Sequence, residues 1–217
     1  MSDALCDYYS ARAGDYERVY AKPERQADLR AMESWLPPLL EGRNVLEIAC
    51  GTGYWTRCIA PAAAHVVATD AAAGPLDIAR RRPIADNVTF RLGDAYRLGA
   101  EPGSFNAAFA GFWLSHVPRQ RWREFLLQLV ARLEPCSPVV FLDNRYVEGS
   151  STPICERDFE GNTYQLRRLA DGSTHRILKN FPTAAELRAL ADPVTQTCQY
   201  QQWQHYWGLV LLTPSHR

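Results

Sequence analysis

The residues able to do chemistry in this chain are gathered at a few spacings. Glu47-Ile48-Ala49-Cys50-Gly51-Thr52-Gly53 begins inside a short apolar run and leaves it through two glycines. Glycine carries no Cβ, so Gly51 and Gly53 let the backbone come close to a ligand, and a helix starting just after them presents unpaired N–H groups. Asp70 closes a second apolar run, and Asp94, after Gly93, closes a third. Carboxylates at those points can accept hydrogen bonds from the hydroxyl and amino groups of a nucleoside. His116 follows a fourth apolar run. Its imidazole titrates near neutrality, which suits it to take a proton from a substrate, and its ring nitrogens suit it equally to anchor its loop on a backbone carbonyl.

These positions converge only if the runs are strands of one sheet. Apolar runs over 44–49, 65–69, 87–92, 105–111 and 139–143 read as strands, and helical patterns at 54–60 and 75–82 lie between them. The clearest helix opens at Pro118 and closes before Pro135, with Trp122, Phe125, Leu126, Leu129, Val130 and Leu133 on one face. Strands alternating with helices imply parallel pairing through right-handed crossovers. The expected fold class is α/β: a doubly wound, Rossmann-like seven-stranded sheet with a final antiparallel strand. Residues 1–40 read as an N-terminal helical lid, with helices over 5–20 and 24–35. Residues 145–181 read as a β-hairpin insertion after strand five that caps the substrate, turning at Ala170-Asp171-Gly172. Thr183 caps a last helix reaching Ala191, and runs at 195–202 and 205–212 complete the sheet. The whole of 1–217 reads as a single domain. In such sheets ligands bind beyond the carboxyl ends of the strands, where the glycines, Asp70, Asp94 and His116 fall.

Thr56 stands where a dinucleotide loop needs its third glycine, which disfavours NAD. Glu47 inside strand one, the Gly51/Gly53 loop, Asp70 and Gly93-Asp94 together resemble the class I S-adenosylmethionine-dependent methyltransferases. The similarity is to their small-molecule branch, which includes ubiquinone and menaquinone biosynthesis methyltransferases, and it extends in motif detail over residues 40–145. The resemblance implies S-adenosylmethionine (SAM) as cofactor. It implies that the Gly51/Gly53 loop lines the methionine part, with Glu47 facing the amino end through water, and Ala49, Trp55 and Gly111 are also expected to bind the cofactor. It implies further that Asp70 binds both ribose hydroxyls with Ala71 against adenine, and that Asp94, beside Ala95, accepts from the adenine amino group. Tyr9 and Tyr16 are expected to lie over the methionine end. Arg25 is read chiefly as an exposed helix arginine, with the methionine carboxylate as the alternative partner.

The segment Gly111-Phe112-Trp113-Leu114-Ser115-His116-Val117-Pro118 looks like the hydrophobic-His-hydrophobic-Pro run of that branch. It lacks the Asn/Asp-Pro-Pro-aromatic motif of adenine and cytosine amino methylation, and no catalytic Pro-Cys pair for cytosine C5 chemistry occurs there. Trp113, Arg145, Tyr146 and Tyr164 are expected to contact substrate, with Arg145 or Arg167 gripping an anionic group. The expected function is methyl transfer to an O, N or S atom of a small, anionic or planar metabolite. The alternatives are C-methylation of a quinone-type precursor and a non-catalytic SAM-binding regulatory module.

Composition narrows the partners. Lys plus Arg total 24 and Asp plus Glu total 24, so the formal net charge is zero, unlike a dedicated nucleic-acid binder. No apolar run approaches the ~20 residues that span a bilayer, and the N-terminus has no signal-peptide core. Six scattered cysteines form no CxxC or zinc spacing, so no metal is expected and reduced thiols fit a cytoplasmic protein. A monomer or homodimer acting on a small molecule, with no nucleic acid or membrane partner, is the expectation.

Overall fold

The computed structural model describes residues 3–12, 20–97, 105–169, 171–192, 194–195 and 197–215, with the side chains of residues 3–7 excepted. Strands β1 (Asn44–Ile48), β2 (His65–Asp70), β3 (Val88–Leu92), β4 (Ala107–Gly111), β5 (Pro138–Asn144), β9 (Thr197–Gln202) and β10 (Tyr206–Leu212) form one sheet in the order β3-β2-β1-β4-β5-β10-β9. β1 pairs in parallel with β2 and β4, whereas β10 runs antiparallel to both β5 and β9. The expected doubly wound sheet with a late antiparallel strand is the architecture found. A second, antiparallel sheet of β6 (Glu156–Arg157), β7 (Thr163–Arg168) and β8 (Thr174–Leu178) holds the hairpin. β6 has no apolar pattern, being two exposed residues, and so leaves no trace in the sequence.

Strand alternation sends successive side chains to opposite faces, and each face acquires its own core. Leu46, Ile48, Ala108, Ala110, Val139 and Phe141 pack under α5 (Trp122–Val130) and α6 (Ala184–Ala191). Val45, Val66, Ala68, Ala107, Phe109, Val140 and Leu142 pack under α2 (Gln26–Trp35), α3 (Tyr54–Ile59) and α4 (Ala73–Arg80). α6 begins with the anticipated Thr183 cap, completed by Glu186 as a reciprocal capping box. α5 is shorter than its apolar stripe suggests: a 3-10 turn over Arg119–Arg121 precedes it, and Leu133 is drawn out of the helix into a bridge with Phe105.

In the N-terminal segment α1 is described over Asp3–Arg12, residues 13–19 of the expected first helix lie outside the described residues, and Tyr20 stacks on Tyr54 with ring centroids 4.1 Å apart. α1 lies across the start of α4, where a Cβ on Gly74 would stand 3.3 Å from the Ser10 Cα. The backbone approach that this glycine permits sets Tyr8 and Tyr9 over the carboxyl edge of the sheet. Among the described residues no helix is long and apolar enough to cross a membrane, and no cluster of His, Cys, Asp and Glu could hold a metal ion.

Candidate active site

Two neighbouring cavities open at the carboxyl ends of β1, β2 and β4. The smaller, of about 30 Å³, is lined by Tyr9, Ala49, Gly51, Asp70, Pro75, Gly111, Phe112, Trp113 and His116. The residues that leave β1 and β4, Ala49 and Phe112, hold positive φ angles of 54° and 59°. Left-handed backbone costs a side-chain-bearing residue about 1–2 kcal/mol, and strain of this kind concentrates where a chain must turn sharply into a site. Gly51 and Gly53 adopt φ of 57° and 78° without that penalty.

Asp70 fixes this loop. Its Oδ2 accepts the Gly51 N–H at 2.8 Å and its Oδ1 accepts the Ala72 N–H at 2.8 Å, leaving further lone pairs on a carboxylate at the strand end. Burial pushes the Asp70 carboxyl above its ordinary value, while the N–H groups of Ala72 and Gly51 pull the other way. Glu47 is fully buried, and desolvation raises its pKa to about 8. Its Oε2 and the indole N–H of Trp113 are buried with no hydrogen-bond partner among the described residues. Orphaned polar atoms beside a glycine cradle are what a bound polar ligand would satisfy, so the donor set fits a nucleoside cofactor with an amino-acid tail.

The larger cavity, of about 430 Å³, has a different chemistry. Arg12, Lys22, Arg25, Arg167, Arg168 and Lys179 line it together with Tyr8, Tyr9, Tyr20 and Tyr206, and among the described residues no carboxylate belongs to the wall. In a chain of zero net charge this is a strong local concentration of positive potential. Arg25 is buried, donating from Nε to Ser150 Oγ at 3.1 Å and from Nη1 to Asn144 Oδ1 at 3.2 Å. Lys179 is buried too, its Nζ 2.6 Å from Ser115 Oγ and 3.0 Å from Asp143 Oδ1. Arg167 donates from Nη2 to Gln165 at 2.9 Å, and its buried Nε has no partner among the described residues.

Tyr9, Phe112 and His116 belong to both cavities. His116 Nδ1 lies 2.7 Å from the Leu178 carbonyl oxygen, which can only accept, so Nδ1 carries the proton. In the neutral ring Nε2 is then an acceptor, and the Tyr9 hydroxyl, 2.8 Å away, donates to it. Burial first, then the charges of Lys179 and Arg167, hold the His116 pKa well below 6.5. A depressed histidine makes stability fall with acid, because below about pH 6.5 the unfolded chain gains a proton that the folded chain refuses. Each unit of acidification from there towards the folded-state pKa should remove up to about 1.4 kcal/mol. Denaturant unfolding at pH 8 and pH 5 should therefore show a larger loss for the wild type than for His116→Asn. Equal losses would contradict the assignment.

The sequence-based expectations divide cleanly in space. Tyr9, Ala49, Gly51, Asp70, Gly111, Trp113 and His116 meet around the smaller cavity. Gly53, Ala71, Asp94 and Ala95 stand at the loop and strand ends of the same rim without lining it, Asp94 accepting from the Tyr96 N–H at 3.0 Å. Tyr16 lies outside the described residues. Trp55 is buried beneath the loop, against Tyr54, Phe109 and Phe112 and beside Gly111, without lining the cavity itself. Arg145 donates from Nη1 to the carbonyls of Trp203 and Gln204, each at 2.9 Å, and does not line either cavity. Tyr146 packs edge-on against Phe181, and Tyr164 lies under the Arg176 guanidinium with its hydroxyl on Asp158, so neither lines the cavity. Arg25, read mainly as exposed, is buried in the wall.

Comparison with known proteins agrees with this geometry. A methyltransferase-domain family model matches residues 45–136. A demethylmenaquinone methyltransferase of Clavibacter sepedonicus is 35% identical over 103 residues, 47% of this chain and 41% of that protein. One from Lactococcus lactis is 27% identical over 163 residues, 71% of this chain and 62% of that protein. The chain thus spans about half the length of the curated relatives it matches. Among solved structures, a DhpI–SAH complex superposes with a TM-score of 0.81 at 28% identity, covering 99% of this chain and 97% of that one. A DhpI–SAM–HEP complex superposes with a TM-score of 0.79 at 29% identity, covering 99% and 100%. The glycine cradle below Asp70, the sheet order and these likenesses make the chain similar to the class I S-adenosylmethionine-dependent methyltransferases, with the family match lying over residues 45–136.

Proposed function

We propose that the protein transfers the methyl group of SAM to an oxygen atom of a small oxyanion. The observation that carries this reading is the adjacency of a glycine-cradled cleft and a cation-lined cavity across one wall, Tyr9, Phe112 and His116. Bound SAM supplies a sulfonium-activated methyl group; this chain's residues have to hold an acceptor oxygen in line with it, and proximity of that kind contributes many kcal/mol. The loop at Gly51 and Gly53, Asp70 and Glu47 would hold the donor. Arg167, Arg12 and Lys179 would hold the acceptor's charge.

An oxyanion brings its own nucleophile, so no proton has to leave before attack. His116, neutral and tied to Leu178, then serves to place Tyr9 at the junction of the cavities. The three-component DhpI–SAM–HEP complex supports a site that holds a donor and a second small molecule together. C-methylation of a quinone precursor is favoured by the names of the two curated relatives. The six cations in the wall oppose it, since an apolar ring system would take water from that wall without adding any counter-charge to the two, Lys179 and Lys22, that are already paired or to the arginines beside them.

The donor half has a direct test. Asp70→Ala removes a charged acceptor and frees the Gly51 and Ala72 N–H groups. SAM affinity measured by calorimetry should weaken by about 1–3 kcal/mol. Unchanged affinity would overturn the donor assignment.

A further inference from the structure

Beneath the larger cavity sits a buried carboxylate that the methyl-transfer reading leaves without a task. Asp143, the penultimate residue of β5, is wholly buried. Its Oδ1 accepts from Lys179 Nζ at 3.0 Å and Ser115 Oγ at 2.9 Å, and its Oδ2 accepts from the Ser115 N–H at 2.9 Å. Ser115 precedes His116 in a 3-10 turn, and Lys179 follows Leu178, whose carbonyl holds the His116 ring. One carboxylate thus ties together the cation in the floor of the cavity and the turn that carries the histidine at its mouth.

We propose that Asp143 is the positioning residue of the acceptor site: through Lys179 it keeps a charged ammonium seated in the cavity floor, and through Ser115 it sets the turn bearing His116 against the same volume. The inference rests on the reading of that cavity as the seat of an oxyanion. Lys179 has three donors, two of which are taken by Ser115 and Asp143, and the residue belongs to the cavity wall. The other charged or titratable groups that face it are Arg167 on β7, Arg25 before α2 and His116. Both arginines repel the ammonium, and burial disfavours its charge, so Asp143 is the group that opposes its deprotonation. A buried lysine stripped of its counter-charge loses its proton at lower pH, and the cavity floor would then offer a neutral amine.

The test uses sulfate, whose charge is constant across the working range, titrated into the SAH-loaded protein by calorimetry from pH 6 to pH 9. Wild type should bind sulfate. Asp143→Asn, which keeps the shape, should bind it about tenfold more weakly at neutral pH. Its affinity should also fall off about one pH unit or more below the wild-type fall-off, with SAH affinity unchanged. A purely structural carboxylate would not move the pH profile, and a variant with wild-type sulfate affinity and profile overturns the proposal. Should Asp143→Asn fail to fold, Ser115→Ala, which removes only the Oγ between the two partners, should shift the profile in the same direction by less; no shift overturns the proposal equally. Wild type that binds no sulfate sinks the oxyanion reading itself, and the role of Asp143 with it.

Discussion

Lys179→Met should be among the most damaging single substitutions in this chain, lowering stability by about 3–5 kcal/mol. The methionine fills nearly the same volume, so packing is not the cause. The substitution leaves Asp143, fully buried, facing only Ser115 and the neighbouring amides, with no cation to balance it. For a domain of this length each kcal/mol moves the melting temperature by roughly 2–4 °C, so a thermal melt should fall by about 10 °C or more. Asp143→Asn combined with Lys179→Met restores neutrality and should recover much of the loss, because replacing both partners of a buried pair is often close to neutral. A single variant as stable as the wild type would show that the pair is solvated or unformed.

Arg167→Ala should have the largest effect on the acceptor without disturbing the fold. The side chain is half-buried in the cavity wall, donates to Gln165, and has a buried Nε without a partner among the described residues. A hydrogen bond to an ionised group contributes about 1.5–3 kcal/mol, so KM for an oxyanion acceptor should rise by roughly 10- to 150-fold. Steady-state kinetics with saturating SAM would read this, and SAH affinity should stay as in the wild type. A fall in SAH affinity of similar size would move Arg167 to the donor side.

The donor half was readable in the sequence because its chemistry is local. Gly51, Gly53 and Asp70 lie at strand ends that hydrophobic runs delimit, and parallel pairing then brings the ends together without further information. His116 was legible for the same reason: of the two roles considered for it, the anchor corresponds to the hydrogen bond with Leu178, while Nε2 is taken up by the Tyr9 hydroxyl. The acceptor half was only partly legible. Its cations come from the N-terminal segment, the hairpin and the chain after β8, and which of them face inward depends on how those pieces dock. Arg145 and Arg167 look alike in sequence, yet the first is captured by the carbonyls of the β9–β10 turn and the second is not. Arg25 reads as a surface residue because its partners, Asn144 and Ser150, are more than a hundred residues away. The Asp143–Lys179 pair is hidden similarly: Asp143 reads as the polar end of a strand, and Lys179 as one charge among many on a hairpin.

The central claim is that the larger cavity presents an oxyanion to the methyl donor. Its most direct test is SAH release from SAM with a panel of small acceptors in which carboxylates, phosphates and phosphonates are set against neutral alcohols, amines and an apolar quinol. Turnover confined to the oxyanions, and inhibited by sulfate competitively with the acceptor, is the predicted result. Turnover of the quinol or of neutral acceptors, undisturbed by sulfate, would contradict it.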